Sequence, residues 1–370
     1  MAKGQIKQAP DHIAARLKIC RAGMESAGLD GYLVTARADQ YYLTGFDGED
    51  GAALILPKTV YLLTDGRFEE EAGLVAAWAR AIVRRAGLPE VIGKVARKHR
   101  LKRLGFQSEA LTVRGHTAIR QALGTTKLRP APPLTREQRQ IKDEIELAAM
   151  RKAIAVAEGA FKAAVKRLRP GMTEREWAAL LLHEMLRRGA EGAAFPTIVA
   201  EGANSSLPHA RPGNRKIERG SAVLVDWGAL VDHYRSDLTR MIYVRRIPPR
   251  FRVMHEQVLA AQQAALEALR TGVRMSDVDA RARQSLRLAG LAQRFTHSLG
   301  HGLGLDVHEE PRLAPRCRES LKTGMLVTVE PGVYVPGVGG VRIEDDVRVT
   351  EAGAELLSTL ERSPEAFVAQ

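Results

Sequence analysis

Apolar residues at Ile13, Leu17, Cys20 and Met24 recur at helical spacing, which predicts a helix opening at Asp11 after Pro10 and stopping at Gly28. Gly31 to Thr35 then reads as a strand. Two apolar runs, Ala52 to Leu56 and Val60 to Thr64, flank Pro57-Lys58-Thr59 like the arms of a hairpin, and Arg67 to Arg80 returns to a helical pattern. A strand at Arg103 to Gln107 and a helix near Val113 to Leu123 continue the alternation, so the first part of the chain predicts an α/β domain. Between Gly124 and Glu137 the composition turns to Thr, Pro, Lys and Arg, with Pro130, Pro132 and Pro133 close together. Repeated prolines disfavour both helix and central strand, so this stretch predicts a linker, with domains at 1–135 and 136–370.

Beyond the linker, a long helical pattern runs from about Gln138 to Leu168 and closes at Pro170-Gly171. Thr173 with Glu176 then forms the signature of a capping box, opening a second helix that ends near Gly189. The second half echoes itself. Leu168-Arg169-Pro170-Gly171 between two helices matches Leu269-Arg270-Thr271-Gly272 between two others, and each helix pair is followed by a predicted hairpin. Asp226 on the first hairpin corresponds to Glu330 on the second, and Asp237 on the returning strand corresponds to Glu344. Two such units, each presenting two acids, predict a pseudo-symmetric sheet with carboxylates converging at its centre.

Composition narrows the class. At 370 residues the chain has room for two domains, and no apolar run approaches the roughly 18 residues a membrane helix needs. The N-terminal residues lack the apolar core of a secretory signal, and Cys20 and Cys317 stand far apart in sequence; both observations lead us to expect a cytoplasmic protein and no membrane partner. The net charge of +13 comes from basic residues spread through helical stretches, densest at Arg84-Arg85 and from Lys94 to Arg103. These read as solvated faces, with no aromatic signature to suggest a specific nucleic-acid partner.

In Val223-Leu224-Val225-Asp226-Trp227-Gly228 an acid interrupts an apolar strand, and burying a carboxylate is costly without compensation. Pairing that strand with Ser236-Asp237-Leu238-Thr239-Arg240 about a turn at Val231-Asp232 is expected to bring Asp226 opposite Asp237. Facing carboxylates repel, and a divalent cation is the natural compensation. A carboxylate that caps a loop or pairs with Arg240 accounts for either aspartate alone. Four acids at related strand positions favour the metal. Three histidines, His297, His301 and His308, crowd a glycine-rich segment, with His301 between Gly300 and Gly302; His209 follows Pro208 in a loop before the first acidic strand.

Asp226, Asp237, His301, Glu330 and Glu344, together with Pro208-His209, Gly300-His301-Gly302, Glu330-Pro331-Gly332 and Arg342-Ile343-Glu344-Asp345, resemble the signature of the pita-bread metallopeptidases over about Lys142 to Thr350. The N-terminal part resembles the creatinase-type domain of that family's proline-directed branch, through Tyr42-Leu43-Thr44-Gly45-Phe46 and Leu63-Thr64-Asp65-Gly66-Arg67. The resemblance implies a fold of creatinase-type α/β domain followed by a pita-bread catalytic domain, and a homodimer. It implies two divalent ions, Mn first with Co, Zn or Fe also suited. Asp226 chelates one, His301 and Glu330 bind the other, and Asp237 and Glu344 bridge them. A hydroxide between the ions then attacks the peptide carbonyl, Glu330 shuttles a proton, and His209 and His308 hydrogen-bond substrate and intermediate, with His297 and Arg342 shaping the pocket. The implied activity is Xaa-Pro aminopeptidase, acting on peptides with proline in second place, with Xaa-Pro dipeptidase as the alternative. A binding protein on the same fold is a more remote reading, which intact ligands disfavour, as they disfavour a creatinase-like amidinohydrolase. Trp227 departs from the smaller residues of many relatives and is expected to pack behind Asp226.

Overall fold

The computed structural model describes residues 8–369, and the chain divides into two compact units, Met1–Gln138 and Arg139–Gln370. The first unit follows the predicted α/β alternation, through α1 (Asp11–Ser26), β1 (Gly31–Val34), α2 (Arg37–Thr44), β2 (Ala52–Ile55), β3 (Val60–Thr64), α3 (Glu69–Val75), β4 (Arg80–Val83), α4 (Leu88–Lys98), β5 (Arg103–Phe106), α5 (Val113–Leu123) and β6 (Lys127–Pro130). Its six strands lie in the order β4-β3-β2-β1-β5-β6. Strands β1 to β3 are buried at every position and therefore read as unbroken apolar runs. One side chain set, with Leu33, Leu54 and Leu104, packs against Ile92, Val95 and Ala96 of α4 and Ile119 and Leu123 of α5.

Two expectations change here. The helix predicted over Arg67 to Arg80 stops at Val75, and Arg80–Val83 leaves it to pair in parallel with β3 at the sheet edge. The proline-rich stretch is not all linker: Lys127–Pro130 forms the opposite edge strand, parallel to β5. A proline is tolerated there because an edge strand need not donate on its free side.

The second unit begins with α6 (Arg136–Arg139), whose last residue it includes, and α7 (Glu144–Arg167). The long helix starts at Glu144 rather than Gln138, because Asp143 and Glu146 complete a capping box. There follow α8 (Glu174–Arg187), β7 (Gly192–Ala193), β8 (Ile198–Glu201), β9 (Ala222–Trp227), β10 (Ala229–Val231), β11 (Tyr234–Arg235) and β12 (Leu238–Val244). The second half supplies α9 (Pro249–Ala268), α10 (Met275–Leu288), β13 (Gly300–Gly302), β14 (Glu309–Leu313), β15 (Leu326–Val329), β16 (Gly332–Val335), β17 (Gly339–Arg342), β18 (Asp345–Val349), β19 (Ala354–Leu356) and β20 (Val368–Ala369). The pseudo-symmetry is visible as two antiparallel triplets, β8-β9-β12 and β13-β15-β18, each preceded by a helix pair.

Period-two alternation decides where the acids of the first triplet point. Val223, Val225 and Trp227 face a core built on α7 and α8, so Leu224 and Asp226 face the other way, toward the core shared with the second triplet. Trp227 is fully buried behind Asp226, stacked on Phe161 at 4.1 Å and 12°, with Nε1 donating to the Ala157 carbonyl at 3.0 Å.

Removing that ring leaves a large hole between sheet and helix. Trp227→Ala is expected to cost about 3–5 kcal/mol, whereas Trp227→Phe keeps a stacked ring and loses chiefly one hydrogen bond, about 1 kcal/mol. Denaturant unfolding followed by circular dichroism checks the order; equal losses in the two variants would mean that the indole packing contributes little.

Candidate metal centre

Each candidate ligand is placed by a strand or by the end of one. In the first hairpin Asp226 is paired with Thr239, not with Asp237 as the sequence suggested. The turn falls at Asp232-His233, both with positive φ (49° and 68°), which is a two-residue hairpin turn and shifts the ladder by two positions. On this register Asp237 faces Gly228, where any side chain would strike the Ser236 carbonyl. Asp237 and Thr239 still share a face with Asp226, because residues two apart point the same way. In the second hairpin the ladder runs through Val329↔Asp345 and Gly332↔Arg342, so Glu330 and Glu344 lie across from one another. A bridge between Thr239 and Glu344 joins the two hairpins.

Asp237, His301 and Glu344 each present a ligand atom within 4.8 Å of the others. His301 Nε2 lies 3.7 Å from Asp237 Oδ2 and 3.3 Å from Glu330 Oε1, while its Nδ1 meets the Gly302 carbonyl at 3.0 Å, leaving Nε2 to face the acids. Gly300 and Gly302 let the strand pass close to its neighbours; at Gly302 a side chain would meet the Glu310 carbonyl. Asp226 Oδ2 accepts from Arg342 Nη2 at 2.6 Å, and its Oδ1 is buried with no hydrogen-bond partner among the described residues. All five candidate ligands, with His209, His297, His308 and Arg342, line one cavity of about 340 Å³.

The electrostatics are those of a site built for cations. Burial, then the neighbouring acids Glu344, Asp226 and Glu330, pushes Asp237 well above the ordinary carboxylate range. Glu344 is raised for the same reasons, by burial and then Glu330 and Asp226. Burial pushes Glu330 up to about 8 and raises Asp226 also, against the opposing charge of Arg342. Burial drives His301 down to about 4, so its imidazole is neutral and able to ligate near neutrality. An orphaned Asp226 oxygen, crowded acids held above the ordinary carboxylate range and a neutral imidazole fit divalent cations held by oxygen and nitrogen donors.

Residues absent from the sequence reading support the site. Thr239 Oγ1 donates to Glu344 Oε2 at 2.6 Å and accepts from Arg342 Nε at 3.1 Å. Thr328 Oγ1 bonds Glu330 Oε1 at 3.2 Å and accepts the His301 amide at 3.1 Å. Tyr334 Oη joins Arg342 Nη1 at 2.7 Å to His297 Nε2 at 2.9 Å. All three stand an even number of positions from an acid on the same strand or its continuation, so period two could have found them. Arg240 pairs with neither aspartate. It is buried against Asp345 Oδ1 at 2.6 Å and donates to the Glu344 carbonyl at 2.6 Å.

This geometry belongs to a known class. The profile of Metallopeptidase family M24 matches residues 148–351 and that of the Creatinase/Prolidase N-terminal domain matches residues 16–141. The chain belongs to metallopeptidase family M24, with a creatinase-type N-terminal domain and a pita-bread catalytic domain. An Xaa-Pro dipeptidase from Bacillus anthracis superimposes with a TM-score of 0.91 at 33% identity, over 96% of this chain and 99% of that one. The X-Pro aminopeptidase from Thermotoga maritima does so at 0.87 and 36% identity, over 92% and 99%. In sequence, the Xaa-Pro dipeptidase of Pyrococcus furiosus is 44% identical over 61% of this chain and 65% of its own length. No helix of the described residues is long and apolar enough to cross a membrane, and Cys20 and Cys317 are both free thiols.

The raised acids fix the sign of a pH effect. Where the folded pKa lies above the unfolded one, the native state holds a proton the unfolded chain has released, so stability falls as pH rises through that window. For Glu330 the window runs from its ordinary 4.5 to about 8. Protein stripped of divalent ions is expected to melt lower at about pH 8 than at about pH 6, and saturating Mn to abolish the difference by binding the deprotonated acids. Thermal melts with chelator and with metal measure this; pH-independent melting of the stripped protein would contradict the raised acids.

Proposed function

We propose that the protein is an Xaa-Pro dipeptidase in which Asp226, Asp237, His301, Glu330 and Glu344 hold two divalent cations, Mn being well suited and Co, Zn or Fe compatible with the same donors. The observation that carries the dipeptidase reading is Arg312. It is paired with His301 across the β13-β14 ladder, its side chain is 66% exposed, and it lines the same cavity as the acids. Its nearest acid, Glu310, stands 3.9 Å away, which leaves the guanidinium available to a substrate. A dipeptide carries its free carboxylate only a few bonds beyond the scissile carbonyl, within reach of a cation so placed. The dipeptidases among the relatives support the same reading. The aminopeptidase reading stands second, favoured by the 36% identity to the Thermotoga maritima enzyme.

When bound, the cations supply Lewis acidity, lowering the pKa of a water and polarising the scissile carbonyl. The chain's own residues do the rest. Glu330, a carboxylate once the cations are held, is placed to accept a proton from the attacking water and deliver it to the leaving proline nitrogen. Burial lowers His308, so it is neutral and can donate an N–H to the substrate oxygen, as can His209 from the facing loop. Arg342 and His297, joined through Tyr334, hold Asp226 and the pocket wall in place. Phe195, Pro196, Ile198 and Val307 provide the apolar lining that suits a pyrrolidine ring.

Hydrolysis of Gly-Pro and of Gly-Pro-Ala in the presence of Mn decides between the two peptidase readings. Gly-Pro is expected to be the better substrate, Asp237→Ala is expected to abolish turnover of both, and Arg312→Ala is expected to raise KM for Gly-Pro roughly tenfold with little change in kcat, the loss of a charge-assisted hydrogen bond. Preference for the tripeptide returns the aminopeptidase reading. No turnover of either peptide by metal-loaded protein rejects both.

A further inference from the structure

The net charge of the chain is not evenly spread. Residues 80–129 hold 13 Lys and Arg against two Asp and Glu, so +11 of the total +13 falls within these 50 residues. In the first unit they form β4 at one sheet edge, β5 and β6 toward the opposite edge, and the helices α4 and α5. Within it a cavity of about 640 Å³ is lined by Arg97, Arg100, Lys102, Arg103 and Lys127, with Thr125 and Thr126 and no acid in its wall. None of the five cations has a carboxylate within ion-pair distance among the described residues. Asp30 accepts the backbone amides of Lys102 and Arg103 on its Oδ2 at 2.8 and 2.7 Å.

Local structure accounts for part of this. Arg97 sits in the last turn of α4, where a cation suits the helix end, and it donates to the Ala122 carbonyl at 2.9 Å. The others have no such role. Arg103 and Lys127 are direct partners across the parallel β5-β6 ladder, a like-charge pair that repels along the same sheet face. Arg100 holds a positive φ of 52° at the turn leading to β5, which turns a third charge to the same cavity. Like charges gathered in a concave wall raise the local potential and concentrate anions.

We propose that this cavity is an oxyanion site for a short, free chain of phosphates, which answers all five cations at once. The Thr125 hydroxyl adds a neutral donor, whereas that of Thr126 is taken by the Leu101 carbonyl at 2.8 Å. No aromatic side chain lines the cavity, so nothing there stacks a base, and this favours a free oligophosphate over single-stranded nucleic acid. The site lies wholly within the first unit and is independent of the hydrolytic reading.

Calorimetric titration of the full-length protein with sodium tripolyphosphate tests the proposal. One saturable site is expected, weakening roughly tenfold or more between about 50 and 200 mM salt, as screening of a multiply charged anion requires. The double variant Arg100→Glu, Lys127→Glu is expected to lose at least tenfold in affinity, with Arg100→Lys retaining most of it and circular dichroism showing both folded. Binding no tighter than that of sulfate, or unchanged in the charge-reversed variant, overturns the proposal. So does tighter binding of an oligonucleotide that displaces tripolyphosphate, which assigns the surface to nucleic acid instead.

Discussion

Four carboxylates buried against one another are the constraint around which the second unit is built. Each is costly to remove from water, and together they repel. The chain holds them with donors that leave the ligand faces open. Thr239 supports Glu344, Thr328 supports Glu330, the Asp346 carboxylate accepts the Asp237 amide at 3.1 Å, and Arg342 neutralises part of Asp226. Arg240 then locks the carbonyl of Glu344 and the carboxylate of Asp345 to residues Leu360 and Glu361 near the C-terminus. The ligand-bearing strands are thus fixed from behind by charges that face away from the cavity.

The histidines around the site are placed by a second set of buried acids. Glu174, fully buried, accepts the amides of Glu201 and Gly213 at 2.7 and 2.9 Å and so closes the loop that carries His209. Asp279 and Arg283 hold the segment of His297, the acid by the Leu299 amide at 3.1 Å and the guanidinium by the His297 carbonyl at 2.6 Å. Beside His308, Glu309 bonds Lys142 at 2.7 Å and also Arg139; burial opposes its ionisation, but the two cations outweigh it and keep the acid charged. Arg139 and Lys142 precede the long helix α7, so the residues just after the proline-rich segment belong structurally to the histidine loop.

Much of this was legible in the sequence because the chemistry sits on regular elements. Asp226, Asp237, Glu330 and Glu344 stand out as acids in apolar strands, and the internal echo predicted their convergence, which the two antiparallel triplets realise. The register was less legible. A two-residue turn can fall at Val231-Asp232 or at Asp232-His233, and only the positive φ values of Asp232 and His233 choose the second. The helix expected over Arg67 to Arg80 failed because an edge strand needs only a partner, and β3 provides one to Arg80–Val83. Lys127–Pro130 was hidden for the same reason, its prolines arguing against a central strand but not an edge. The pairing of Arg240 with one of the aspartates was a misleading cue, because its guanidinium is directed to Asp345 and it is Arg342 that reaches Asp226.

The repeat is also broken in a way that bears on how a peptide lies in the cleft. Strand β13 brings His301 to the cavity, whereas β8, its counterpart in the first triplet, brings Ile198, next to Phe195 and Pro196. A scaffold with near twofold likeness therefore has one greasy wall and one imidazole-rich wall. An asymmetric ligand entering between them meets different chemistry on its left and right, so the cleft can tell which way round the chain has arrived.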